Sequence, residues 1–327
     1  MSKLIPEVKN IARDIKSMKI RGAGKIARAA AKAIVLTVKH SEARNIPDFL
    51  MEIEEASRLL LSTRPTAVSL PNTIKFVMKH VLEAKGRFKE INEIKSYTID
   101  VAENFIQESK DAVKKIGEIG ARRINKGDVL LTHCNSQTAI EVIKTAWAQN
   151  KKIKVFVTET RPRFQGRVTA KILGENGIPT VIVVDSAVRY IMNKVDKVVV
   201  GADAVAANGA VVNKIGTSTI ALAAKEARTP FFVAAETFKF DPDTSAGELI
   251  TIEERDSSEV ISKRELEKLS NIKVFNPSFD ITPPEYIDLI ITEKGVIPPQ
   301  AAISVIQQEF GWTLFERTGR LNIIEEE

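Results

Sequence analysis

GDVLLTHCNSQTA, residues 127–139, is where the chain changes character. An apolar run, VLLTH (129–133), leads into Cys134, the sole cysteine of 327 residues. The polar group after it reads as a helix start near Asn135 or Ser136. The same alternation repeats downstream. Short apolar, β-rich runs occur at IKVFVTET (153–160), PTVIVVD (179–185), KVVVGAD (197–203), PFFVAAE (230–236) and IDLIITE (287–293), with helical stretches between most of them. Continuous apolar strands alternating with helices specify a parallel sheet covered on both faces. The expected fold class is α/β: a helical N-terminal domain, residues 1–125, followed by a Rossmann-like, doubly wound parallel-sheet domain, residues 126–327.

Upstream of residue 125 the spacing is helical. Ile5, Val8, Ile11, Ile15 and Met18 recur every three or four residues. RGAG (21–24) interrupts, and KIARAAAKAIVLTVKHS resumes as an alanine-rich helix. FLMEIEEASRLLLST is a third helix, stopped by Pro65, and a long helix is expected around residues 98–124.

Open parallel sheets bind ligands outside the carboxyl ends of their strands. That rule selects Cys134 after the first run, Thr160, Arg161 and Arg163 after the second, Asp185 after the third and Asp203 after the fourth. Glu236 and Lys239 follow the fifth. No GxGxxG follows the first strand and no Walker sequence occurs, so standard dinucleotide and P-loop readings fail.

Composition narrows the function further. Hydrophobic residues make up 44% and charged residues 28%, ordinary values for a globular protein. One cysteine excludes an intrachain disulfide and a cysteine-rich zinc site. His40, His80 and His133 are too scattered to suggest a metal centre. No apolar stretch matches a membrane span and the N-terminus lacks a signal-peptide core, so a reduced, cytoplasmic protein is expected. Residues 1–125 carry 24 Lys+Arg against 15 Asp+Glu, and the remainder 24 against 27. The basic first part fits anionic partners or simply a solvated surface. Aromatics are 6% and no aromatic-basic motif appears, so no specific nucleic-acid partner is expected.

Each candidate admits two readings. Cys134 is either a small buried side chain or a thiolate stabilised by the following helix N-terminus. Asp203 either holds a turn or acts as a carboxylate in the site. Asn213 and Lys214 precede another helix start, as cap and surface lysine or as a polar pair on a ligand. RGAG fits a helix–helix turn or a backbone nest for an anion. TRP occurs at 63–65 and 160–162, where proline stiffens the chain beside Arg64 and Arg161. Together these features describe many cations around one thiol and one carboxylate, a site for moving protons on a phosphorylated small molecule.

RGAGKIAR, TRPTAVSLPN, LLTHCNSQTA, VTETRPRFQG, VVVGADAVAANGAVVNKIGT and NPSFDITPPEYIDLIITEKG occur in this order along nearly the whole chain. The set resembles the family that joins methylthioribose-1-phosphate isomerases, archaeal ribose-1,5-bisphosphate isomerases and the regulatory subunits of translation initiation factor 2B. The resemblance implies catalytic roles for Cys134 and Asp203. It also implies substrate contacts at Arg21, Gly22, Ala23, Gly24, Lys25, Arg28, Arg64, Ser136, Gln137, Asn213, Lys214 and Lys239. The binding-module branch needs neither thiol nor carboxylate, so keeping both favours an enzyme. Lys25, Arg28 and Lys239 are extra cations that suit a second phosphate, and the chain looks most like the bisphosphate branch. That branch converts ribose 1,5-bisphosphate to ribulose 1,5-bisphosphate through a cis enol, within AMP breakdown that feeds RuBisCO. It implies a phosphorylated sugar as substrate, no metal or redox cofactor, AMP as activator, and a homo-oligomer built from dimers up to a hexamer. The methylthioribose and regulatory-subunit branches are the alternatives.

Overall fold

The computed structural model describes residues 4–64, 67–247 and 249–310. Pro65, expected to stop the third helix and stiffen the chain beside Arg64, lies outside the described residues, as do 311–327 of the second expected domain.

Five helices open the chain: α1 (Pro6–Lys16), α2 (Ala23–Lys39), α3 (Ile46–Leu61), α4 (Ser69–Arg87) and α5 (Ile91–Ala121). The alanine run explains the centre of this group. Ala27, Ala30, Ala31 and Ala33 favour helix and are too small to hold neighbours away, so α2 is buried against α4 and α5. α4 is additional to the helices expected from the sequence, and α5 begins earlier than the expected residue 98. The first half of α5 sends Ile94, Ala102 and Phe105 into the helical core. Its second half sends Ile116 and Ala121 into the core of the sheet. One helix of roughly 45 Å thus ties the two parts together.

The α/β part runs β1 (Val129–Thr132), α6 (Gln137–Ala148), β2 (Lys154–Thr158), α7 (Gln165–Glu175), β3 (Thr180–Val183), α8 (Val188–Ile191), β4 (Lys197–Gly201), β5 (Ala204–Val205) and β6 (Val211–Lys214). It continues α9 (Thr217–Ala227), β7 (Phe231–Ala234), α10 (Lys263–Leu266), β8 (Phe279–Thr282), β9 (Leu289–Thr292), β10 (Gly295–Ile297) and α11 (Ala302–Phe310). The main sheet has the order β10-β9-β7-β4-β1-β2-β3. All neighbours are parallel except β10, which pairs antiparallel with β9 at the edge. Val198, Val199 and Val200 on β4 are fully buried although they point to alternate faces. Val199 meets the core under α5, α6 and α7, while Val198 and Val200 meet the core under α8, α9 and α11. Double coverage is what an unbroken apolar strand records, and each such side chain contributes roughly 1.5–3 kcal/mol by burial.

A purely parallel sheet was expected, and the structure adds a second, antiparallel sheet in the order β5-β6-β8. It directly follows the carboxyl end of β4 and carries Asn213 and Lys214 to the same rim. The main chain winds outward from β1 through β2 and β3, then returns to β4 on the other side of β1. The order therefore reverses between β1 and β4, where such folds open a crevice. No helix among the described residues is long and apolar enough to cross a membrane.

Candidate active site

A cavity of about 450 Å³ opens at that crevice, within the size range of small-molecule sites. Cys134 leaves β1 on one side and Asp203 leaves β4 on the other, and both line the cavity. Asp203 is set by a backbone N–H that donates to the Val212 carbonyl at 2.9 Å, part of the turn into β5.

The Cys134 loop is held by a buried network. The His133 ring is 1% exposed, with Nε2 2.9 Å from the Ile215 carbonyl and Nδ1 2.6 Å from Thr158 Oγ1. A carbonyl can only accept, so Nε2 carries the hydrogen and Nδ1 accepts from the threonine hydroxyl. Burial pushes this histidine down to about 4, which keeps it neutral. Cys134 then adopts φ 65° and Thr160 φ 61°. A left-handed β-branched threonine is a backbone outlier. Strain of this kind is typically about 1–3 kcal/mol per residue and gathers at functional sites. Hydrogen bonds enforce it here. Cys134 N donates to Thr160 Oγ1 at 2.9 Å, Thr169 Oγ1 donates to Cys134 O at 2.6 Å, and Asp185 accepts from the N–H groups of Thr160 and Arg161 at 2.8 and 2.7 Å. Asp185, a strand-end candidate, is thereby consumed as a brace.

The thiol differs from expectation. Cys134 keeps a face on the cavity, yet the protein around it desolvates the sulfur and pushes the thiol up to about 11. Lys214 and Arg21 pull in the opposite direction, and Asp203 adds to the rise. Cys134 Sγ donates to Gln165 Oε1 at 3.4 Å. Near neutral pH the group is held as a protonated thiol, because the nearby helix start does not offset burial. Ser136 caps α6 at its N-terminus, and a side chain on Gly201 would place its Cβ 2.1 Å from Ser136 Oγ. Glycine at the end of β4 is what lets the cap approach.

Most residues named from the sequence line this one cavity: Arg21, Gly22, Ala23, Gly24, Lys25, Arg64, Ser136, Gln137, Asn213, Lys214 and Lys239 join Cys134 and Asp203. Gly22, at φ 88°, precedes α2 without a side-chain cap, so the first N–H groups of α2 are available to an anion. Lys214 Nζ donates to the Ser278 carbonyl at 2.7 Å and stands 4.4 Å from the Phe279 ring centre. Its ammonium is pushed down by burial and up by Cys134 and Asp203. Lys239 is 5% exposed and pairs with Glu236 Oε2 at 2.6 Å, so it is not the free lysine that its position suggested.

Arg28 is placed differently from the expected substrate contact. It stands behind the lining, donating to Ser109 Oγ at 3.0 Å and Gln137 Oε1 at 2.9 Å, and orients Gln137. Arg163 pairs with Glu259 at 3.0 Å and Arg161 donates to the Val260 carbonyl at 3.2 Å, so both brace the rim that they line. Gln165 and Arg255, additional to the residues expected from the sequence, also line the cavity. Gln165 follows the second TRP motif and was within reach. Arg255 lies in irregular chain with no periodic signal.

A Rossmann-type sheet whose switch point holds a strained thiol opposite a carboxylate, under a wall of cations, defines an α/β protein with a pocket for a small phosphorylated ligand. Residues 19–299 match the model of the initiation factor 2 subunit family, and the chain belongs to that family. It is 53% identical to the ribose 1,5-bisphosphate isomerase of Thermococcus kodakarensis, over 95% of this chain and 97% of that one. It is 40% identical to the methylthioribose-1-phosphate isomerase of Thermosipho africanus, over 89% of this chain and 86% of that one. Among solved structures it resembles the translation initiation factor eIF-2B of Pyrococcus horikoshii, with a TM-score of 0.78 and 31% identity over 92% of this chain and all of that one.

Proposed function

We propose that this protein is an enzyme that isomerises ribose 1,5-bisphosphate to ribulose 1,5-bisphosphate. The observation that carries the reading is the placement of Cys134 and Asp203 on opposite sides of the β1/β4 switch point, inside one strongly cationic cavity. The 53% identity to a relative of that name supports it.

A sugar phosphorylated at C1 cannot open to a free aldehyde. Its ring oxygen must receive a proton as the C1–O bond breaks, and C2 must lose one. In this reading Asp203 protonates the ring oxygen. Cys134, once deprotonated, takes the C2 proton, leaving a cis enol across C1 and C2. The C2 hydroxyl then returns a proton to Asp203, and Cys134 delivers its proton to C1. Both groups end as they began, and the sugar has exchanged an aldose for a ketose skeleton. General acid–base help of this kind contributes typically ~10²–10⁴-fold per group.

Arg21, the RGAG backbone, Lys25, Arg64, Ser136, Gln137, Asn213, Lys214 and Lys239 are the substrate contacts of this proposal, with Arg28 acting through Gln137. AMP activation, assembly from dimers into a hexamer, and a cytoplasmic place in AMP breakdown come with the reading from the resemblance alone. One observation favours methylthioribose 1-phosphate instead: Val113, Ile140, Val168 and Ile172 put apolar side chains in the lining, beside Glu141 and Lys144, as contacts for a methylthio group. Turnover of each substrate by purified protein, with and without AMP, decides between them. Ribose 1,5-bisphosphate is the expected substrate, with AMP raising its rate. A preference for methylthioribose 1-phosphate overturns the reading.

A further inference from the structure

The chain between β7 and β8 runs along the cavity wall, bringing Arg255 and Glu259 into its lining and Glu253 against Arg64 and Arg255 behind it. With Arg64 and Arg163 these form a line of alternating charge. Its end links are short: Arg64 Nη2 to Glu253 Oε2 at 2.5 Å, and Arg163 Nη2 to Glu259 Oε1 at 3.0 Å. Its central links are long: Arg255 stands 3.5 Å from Glu253 Oε1 and 3.8 Å from Glu259 Oε1. Arg255 Nε donates to Ser278 Oγ at 2.6 Å, but Nη1 is turned to Met18 Sδ, and a thioether is a weak acceptor.

Arg64 is also incompletely satisfied. Its Nε is buried and meets no acceptor among the described residues. The Arg64 and Arg255 side chains are each 8% exposed, and each lines the cavity. Burial is the largest influence on Arg255, pushing its guanidinium down, and the charge of Arg64 adds to it. Buried cations with spare donors are costly unless an anion shares them. The line holds three arginines against two glutamates. Lys214, whose ammonium feels Cys134, Asp203, Arg255 and Arg64, brings a further positive charge to the reacting pair. The excess suits a phosphate dianion at that end of the substrate.

We propose that Arg255 is a ligand of the substrate phosphate nearest Cys134 and Asp203, the one on C1, gripping it opposite Arg64 while Met18 gives up its place to a phosphate oxygen. The assignment rests on the sugar-phosphate reading of the site. A planar guanidinium suits this role because it presents paired donors in a fixed fork, which a lysine does not.

The test uses the full chain with Arg255→Ala and Arg255→Lys. KM and kcat are measured with ribose 1,5-bisphosphate, and the affinity for inorganic phosphate by calorimetry. Arg255→Ala is expected to raise KM about ten- to a hundredfold with little change in kcat, and to weaken phosphate binding to match. Arg255→Lys, which restores charge without the fork, should recover part of both losses. A thermal transition establishes that each variant folds, and the lysine variant carries the test if the alanine variant does not. Unchanged KM and phosphate affinity in a folded variant overturn the proposal, as does a fall in kcat with phosphate affinity intact. If wild-type protein does not turn over the bisphosphate, the functional reading fails. Calorimetry with phosphate still decides whether Arg255 is an anion ligand.

Discussion

The rim of the sheet and the cationic wall facing it solve different problems. At the rim, two groups leave adjacent strands, and each has a unique position. Cys134 is fixed by a strained backbone, by Thr160 and Thr169, and by neutral His133 behind them. The wall is assembled from distant segments: Arg21 and Lys25 before and within α2, Arg64 after α3, Lys239 after β7 and Arg255 further on. Several of its cations already have carboxylate partners. In the proposed mechanism the proton carriers sit on the rigid sheet, because proton transfer is intolerant of displacement. The proposed phosphate contacts are spread over loops and helix ends, because phosphate binding tolerates shared and redundant charge.

The division predicts unequal losses. Cys134→Ser should fold, since serine is no larger, but a hydroxyl is a much poorer base. The expected loss is on the order of 10²–10⁴ in kcat with KM little changed. Wild-type turnover by the variant would reduce Cys134 to a packing residue. A larger fall in kcat from Arg64→Ala than from Cys134→Ser would collapse the distinction between rim and wall.

The same division explains what could be read from sequence. β1, β2, β3, β4, β7 and β9 were legible because strands buried on both faces are written as unbroken apolar runs. β6 and β8 were not. Their VVNK and FDIT are short and carry polar residues toward the site and toward Asp280, which accepts from the N–H groups of Gly216 and Ser218. α4 was overlooked, although Leu70, Ile74, Val77, Val81 and Ala84 are buried along it. Pro71 reads as a breaker, yet it stands in the first turn, where proline is tolerated. The places of Cys134 and Asp203 at the cavity are legible because strand ends are local features. The place of Arg255 in the lining is not legible, because it depends on the path of irregular chain across the cavity. Helical spacing from RGAG gives the face of Arg28 but not its bond to Gln137, which lines the cavity while Arg28 does not.

Lys239 sharpens the comparison on the side of the wall. It is a buried member of an ion pair, so Lys239→Ala alone would strand the carboxylate of Glu236 and confound binding with stability. The double substitution Lys239→Met with Glu236→Gln removes the pair without leaving a lone charge. If Lys239 turns from Glu236 to the C5 phosphate, kcat/KM for ribose 1,5-bisphosphate should fall about ten- to a hundredfold, the loss of one charge-assisted contact. Ribose 1-phosphate, which lacks that phosphate, should be a poor substrate and lose little more. Equal losses on the two sugars would assign Lys239 to the reacting end and leave the second phosphate without a lysine.

The smallest effect per step is the most direct probe of how rim and wall communicate. Burial pushes the Cys134 thiol up to about 11, so in the free protein its thiolate is a minor species near neutrality. A thiol loses its proton as pH rises, so the competent form grows with pH. With Asp203 holding the proton that it gives to the ring oxygen, kcat/KM, which reports the free enzyme, should climb about tenfold per pH unit between roughly 7 and 9. Lys214, itself pushed down by burial, supplies charge that draws the thiol toward ionisation. Lys214→Met removes that pull from the start. Its profile should lie to the alkaline side of the wild type, with a lower value at pH 7. A wild-type profile that is flat from pH 7 to 9 would show that the Cys134 thiol is ionised only as Asp203 gains a proton, within the site and not to bulk solvent. Its proton would then have to leave within the substrate complex, and the wall, by bringing the phosphate beside the thiol, would take part in the chemistry that the comparison assigns to the rim.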